Sequence, residues 1–350
     1  MKPGLVARPE PGAQLPVRTQ ANNKPRCVLL AGSARGGTSW ALKVLDSHPA
    51  VQGCHEPFYQ RGDDSQLAAL YDRIKTGHGT PDDTEFLTRM LMNSCMETHK
   101  PPFFRKNFLN TPAWMRTATW MSAKACKPMS SVFSYLASAE LNEQHRIVIK
   151  NRPFPLLDRI LQAINADALI LLRHPCGVAS SWLRGIRMGV MQGISIEADK
   201  VWTRYAKYLE PLGFSQHDLN SMSPAGLLAV NWLVDAALVT QYQNSPWMKS
   251  RVIVYCDLVR NPVEEWSKVF DWLHLPFDAS VQDFLSQSSK PGFDIRRLMG
   301  RKYTYFSVQR GEKSPLESWR KDLTPDEIRE VMSIVTPHFP VEKYWPDSLS

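Results

Sequence analysis

The run Ala168-Leu169-Ile170-Leu171-Leu172 contains no polar side chain. A strand with one wet face alternates apolar and polar residues. An unbroken apolar run therefore reads as a strand covered on both faces, as in the centre of a parallel sheet. Four more short runs accompany it: Cys27–Ala31, Val51–Cys54, Arg146–Lys150 and Arg251–Tyr255. Helical spacing marks the stretches between, such as 40–45, 156–164 and the segment with Trp266, Val269, Phe270 and Leu273. Strands alternating with helices predict an α/β chain, a three-layer sandwich with a central, mostly parallel five-stranded sheet. Ligands of open α/β sheets gather beyond the carboxyl ends of the strands. The residues after each run are therefore the ones to read for function.

The first run leads into Gly32-Ser33-Ala34-Arg35-Gly36-Gly37-Thr38-Ser39-Trp40. Strand, glycine turn and helix start together make a phosphate cradle. Glycines let backbone N–H groups point inward, and the helix N-terminus adds about half a positive charge. The competing reading is a turn that merely connects strand and helix. A nucleotide-triphosphate loop of the form G-x-x-x-x-G-K-[ST] needs a lysine where Thr38 stands. The cation comes earlier, as Arg35, on the loop itself. This P-loop-like cradle suits an anionic nucleotide held without a metal and argues against a Mg-dependent ATPase or GTPase.

Composition narrows the classes further. The formal charge of +8 suits an anionic ligand, but no arginine or lysine run and no basic–aromatic interleaving marks a nucleic-acid partner. The nine histidines show no metal-ligand spacing. Six scattered cysteines without a C-x-x-C pair read as reduced thiols of a cytoplasmic protein. Residues 1–25, rich in Pro, Gly, Gln and Asn, read as a disordered leader rather than a signal peptide or anchor. Leu227–Val239 is too short for a bilayer, which needs about 20 residues, and carries Asn231 and Asp235 four apart on one helical face. It reads as a buried helix, so no membrane span is expected. Residues 26–350 read as one domain, with 60–140 and 186–250 as helical acceptor-side insertions.

Arg35-Gly36-Gly37-Thr38-Ser39 resembles the 5′-phosphosulfate loop of sulfotransferases that use 3′-phosphoadenosine 5′-phosphosulfate (PAPS). The form R-[SG]-G-T-[ST] is that of tyrosylprotein and many bacterial members, while Trp40 is similar to the K-S-G-T-T-W of cytosolic members. Asp46-Ser47-His48-Pro49-Ala50-Val51 is similar to the D-x-H-P-x-V segment of tyrosylprotein-type members, and Glu56 then falls on their catalytic base. A surface or helix-start carboxylate is the other reading of Glu56, and His55 is a competing base. Lys150 fits the family lysine that reaches the bridging oxygen of the sulfuryl group. Arg152 stands about where cytosolic members carry a histidine; contact with an anionic acceptor and a structural salt bridge are both open.

Arg173-His174-Pro175, followed by Ser181, resembles the R-[DH]-P-x-x-x-x-x-S element that binds the 3′-phosphate. The chemistry also stands alone, since an arginine at a strand end offers a fork of donors to an anion. Tyr255-Cys256-Asp257-Leu258-Val259 resembles Y-[ED]-D-L-V, whose tyrosine lies near the adenine. Ser307, Arg310 and Lys313 loosely resemble the loop that closes over the cofactor ahead of a Trp-Arg pair, here Trp319-Arg320; a solvated basic loop is the alternative.

The resemblance implies a cytoplasmic enzyme that transfers a sulfuryl group in line from PAPS to a hydroxyl or amine, releasing PAP and needing no metal. Glu56, Lys150 and Arg35 would be catalytic. Arg35, Gly36, Gly37, Thr38, Ser39, Trp40, Arg173, Ser181, Tyr255, Ser307, Arg310 and Lys313 would hold the nucleotide. A small-molecule or saccharide acceptor is implied, and a homodimer is left open. The Met- and Trp-rich stretch 84–125 favours a small, partly apolar acceptor. The rivals are a P-loop nucleotide or small-molecule kinase, which should keep the missing lysine, and a non-catalytic PAP-binding relative, which should have lost Glu56 or Lys150.

Overall fold

The computed structural model describes residues 26–58, 144–154, 157–191, 196–289 and 316–346, with a few positions between 69 and 118. The expected leader 1–25, most of 60–140, and Ser307, Arg310 and Lys313 lie outside the described residues. Five strands form one sheet: β1 (Arg26–Ala31), β2 (Val51–His55), β3 (Arg146–Asn151), β4 (Asp167–Leu172) and β5 (Ser250–Val254). Their order is β2-β3-β1-β4-β5, and every pairing is parallel. Each strand matches its apolar run to within one residue at either end.

The helices are α1 (Thr38–Asp46), α2 (Leu157–Ala163), α3 (Pro175–Arg187), α4 (Ala198–Leu209), α5 (Pro224–Gln243), α6 (Pro262–Trp272) and α7 (Pro325–Val335), with several shorter ones. Strand parity sorts them into two layers. Leu29, Ala31, Ile147, Ile149, Ala168 and Ile170 pack against α2, α3, α5 and α7. Val28, Leu30, Val148, Leu169 and Leu171 pack against α1 and α6 on the opposite face. Both faces are therefore covered, which is why the central runs carry no polar residue.

Helix α5 is buried over fifteen of its twenty residues, so its sequence shows no polar stripe. Pro224 takes its first position, and the Ser223 side chain accepts from the Ala225 and Gly226 N–H groups at 3.1 and 3.2 Å. On its far side α4 adds Val201, Tyr205 and Leu209 against Leu227, Val230 and Val234. The buried-helix reading of 227–239 holds. Among the described residues no helix is long and apolar enough to cross a membrane. Helix α7 opens with Thr324 and Glu327 capping each other and Pro325 in the first turn.

Trp266 of α6 is wholly buried and meets Trp40 edge-on, with ring centroids 5.6 Å apart. It supports the helix that begins the cradle. Trp266→Ala should lower unfolding free energy by about 3–5 kcal/mol. Urea unfolding should read this as a lower midpoint at unchanged slope.

Candidate active site

All five strands end on the same edge of the sheet, and each delivers a predicted site residue there. β1 runs into the glycine loop, β2 into Glu56, and β4 into Arg173. β3 ends with Lys150 and Asn151, and β5 is followed directly by Tyr255. Lys150 is aligned with Leu30 on one side and His55 on the other, which centres it between the loop strand and the Glu56 strand.

The loop is tight. Gly36 N–H donates to the Ser33 carbonyl at 2.8 Å, and the chain then passes through Gly37 at φ 101° into α1. Two constraints make position 37 glycine: the left-handed backbone, and the Tyr255 ring, which would lie 2.5 Å from an added Cβ. Arg35 is also left-handed, at φ 68°. A non-glycine residue in that region is uncommon. Thr38, in place of the triphosphate-loop lysine, is buried in the first turn of α1. Ser39 is exposed beside it.

Three cationic and hydroxyl groups converge on this loop. Arg35 Nε donates to Ser181 Oγ at 3.3 Å, and Arg173 Nη1 donates to the Arg35 carbonyl at 2.8 Å. The residues assigned separately to the two ends of the nucleotide thus form one cluster. The Arg173 guanidinium lies over the Tyr255 ring, 4.8 Å from its centroid, a cation–π contact. Trp40 meets the same ring edge-on at 6.2 Å. Tyr255 is therefore packed under the loop and 5% exposed.

Glu56 and Lys150 form the second cluster. Glu56 adopts φ 50° where β2 ends, and its N–H donates to the Lys150 carbonyl at 2.6 Å. The turn brings its carboxylate onto the Lys150 ammonium as an ion pair. His55 Nδ1 lies 4.0 Å from the other carboxylate oxygen. The Asp-x-His-Pro segment upstream sets where this strand starts. Asp46 accepts from the Gly53 N–H at 2.8 Å, and His48 Nδ1 from the Ala50 N–H at 3.0 Å.

Arg152 is ion-paired with Asp235 of α5, at 3.1 Å. Of the two readings left open for it, the salt bridge is the one observed. Burial works against its charge, but Asp235, with smaller help from Tyr205 and Glu56, raises its pKa overall. His174 is buried and accepts from the Cys176 N–H at 3.2 Å, capping α3. Burial, with Arg320 and Arg173 nearby, lowers its pKa to about 3, so it is neutral. It stacks on Trp319 at 4.6 Å.

The sequence reading missed three supporting groups. Trp182 Nε1 donates to the Ala34 carbonyl at 3.3 Å, and Trp232 Nε1 to the Arg173 carbonyl at 3.0 Å. Each indole fixes the backbone of one predicted anion-binding segment. Asp235 is the third, and the only available signal was an acid inside an apolar helical run. Among the described residues no group of three His, Cys, Asp or Glu could hold a metal.

No protein-family model matches the chain. It is 23% identical over 199 residues to carbohydrate sulfotransferase 1 of Danio rerio, covering 55% of this chain and 42% of that protein. The chain therefore spans less than half the length of that relative. It is 20% identical over 337 residues to carbohydrate sulfotransferase 1 of Mus musculus, covering 85% of this chain and 74% of that protein. Among solved structures, the sulfotransferase domain of the Synechococcus PCC 7002 olefin synthase superposes with TM-score 0.43 and 16% identity, over 91% of this chain and 98% of that one. A mouse sulfotransferase complexed with PAP gives TM-score 0.43 and 12% identity, over 90% and 83%. In sequence, the chain is distantly similar to carbohydrate sulfotransferases.

Proposed function

We propose that this protein is a sulfotransferase that moves a sulfuryl group from PAPS to a hydroxyl or amine of an acceptor. The observation that carries the reading is the meeting of two clusters on one sheet edge. Arg35, Arg173 and Ser181 surround the glycine loop, and the Glu56–Lys150 pair stands at the ends of the two adjoining strands. The glycine loop offers N–H groups and a helix start to an anion, with arginine forks close by, which fits a nucleotide carrying two separate phosphate groups.

PAPS supplies the sulfuryl group and leaves as PAP. The N–H groups of residues 36–39 and the Thr38 and Ser39 hydroxyls hold the 5′-phosphosulfate. Arg35 adds charge at the loop. Arg173 and Ser181 hold the 3′-phosphate, and Trp40 and Tyr255 support the loop from below. Lys150 and Glu56 neutralise each other in the ion pair. Turning Lys150 towards the bridging oxygen stabilises the charge growing there and leaves the Glu56 carboxylate able to take the acceptor proton. The names of the curated relatives favour a saccharide acceptor, which has the hydroxyls this chemistry needs.

Incubation with PAPS and a panel of saccharides and phenols, read by mass spectrometry, tests this. Sulfated product and PAP are expected; phosphorylated product from Mg-ATP instead would favour the kinase reading. Lys150→Ala should lower kcat about 10²–10³-fold, the loss typical when one stabilising donor is removed. Initial rates at saturating PAPS measure it.

A further inference from the structure

Asp235 is 3% exposed and sits in the buried helix α5, outside every motif read from the sequence. Both its oxygens accept from Arg152 Nε, at 3.1 and 3.3 Å. The same carboxylate also faces the glycine loop. Burial raises its pKa, and opposing this are Arg152, then the Ser33 hydroxyl and the Ala34 N–H. Ser33, Ala34, Arg152 and Asp235 line one small cavity beneath the loop. Trp182 holds the carbonyl of Ala34, so this one loop residue is engaged at both its N–H and its C=O.

A buried ion pair is weak grounds for stability, because well-packed apolar residues of similar volume often replace one without loss. The placement gives this pair another consequence. Ser33 and Ala34 follow β1, whereas Arg152 follows β3, two residues beyond Lys150. We infer that Asp235 is a positioning residue, which fixes Ser33-Ala34 in the conformation that presents the loop amides to the 5′-phosphate and ties that loop to the Lys150 end of β3. On this inference Asp235 needs no contact with nucleotide or acceptor. It acts through the loop. The inference rests on the PAPS reading above.

Titration calorimetry with PAP tests it on the full chain, using wild type, the isosteric Asp235→Asn, and the apolar pair Arg152→Met with Asp235→Leu. Asp235→Asn should weaken PAP about 10- to 100-fold, the range typical when a group one layer behind a bound ion is removed. The apolar pair should keep or regain the wild-type melting temperature and still bind PAP at least tenfold more weakly. Wild-type affinity in Asp235→Asn, or recovery of affinity together with stability in the apolar pair, would overturn the inference and leave a purely structural ion pair. The isosteric variant decides alone if the apolar pair does not fold. A wild type that binds no PAP would instead defeat the cofactor reading itself.

Discussion

Glu56→Gln is expected to lower kcat about 10²–10⁴-fold, the usual worth of a general base, with PAP affinity changed little. The amide keeps the size of the side chain and loses the ability to accept a proton. It also releases Lys150 from its ion pair, so the lysine remains available for the bridging oxygen. Glu56 is tied to β3 through its own N–H, which donates to the Lys150 carbonyl at 2.6 Å. That backbone bond survives the substitution, so the strand end should keep its shape. Stopped assays at saturating PAPS, paired with PAP calorimetry, separate the two effects. Equal loss of turnover and of PAP binding would reassign Glu56 to binding or folding. Because Lys150 keeps its role in the Glu56→Gln protein, adding Lys150→Ala should lower kcat further than either single substitution.

Arg173→Ala should weaken PAP by thirty-fold to several thousand-fold. The estimate follows from the roughly 2–5 kcal/mol typical for truncating one partner of a buried charge contact, at about 1.4 kcal/mol per tenfold. The loss has two sources. On the proposed reading the guanidinium no longer meets the 3′-phosphate, and the Arg35 carbonyl loses its donor at 2.8 Å, so the loop is freed as well. Arg173→Lys keeps the charge without the planar fork and its stacking on Tyr255, and should fall between the two. Calorimetric dissociation constants for the three proteins give the order directly. An Arg173→Ala protein that binds PAP as wild type does would remove Arg173 from the site.

The sheet was legible because a strand covered on both faces must be apolar on both faces; Cys27–Ala31 and Ala168–Leu172 have that character, and three short mixed runs accompany them. The site's backbone was legible for a related reason. Each run ends where the sheet edge begins, so Glu56, Lys150, Arg173 and Tyr255 are placed by strand ends alone. Side-chain partnerships were not legible. Arg35 meets Ser181 across 146 residues, and Arg152 meets Asp235 across 83, and no periodicity encodes a contact at that range. His174 read as one letter of a motif and turns out to cap α3 and stack on Trp319, a residue near the other end of the chain. Tyr255 could be placed next to the site, but its packing beneath Gly37 depends on a backbone angle that the sequence does not display.

On the proposed reading the glycine loop and Arg173 together hold a 3′,5′-bisphosphorylated adenosine. Thermal denaturation of the wild-type protein with increasing PAP, beside ATP with and without Mg²⁺, tests it most directly. Ligand at a hundred times its dissociation constant stabilises by about 2.7 kcal/mol. The melting temperature is expected to rise steadily with PAP and hardly move with Mg-ATP. A rise with Mg-ATP and none with PAP would contradict it.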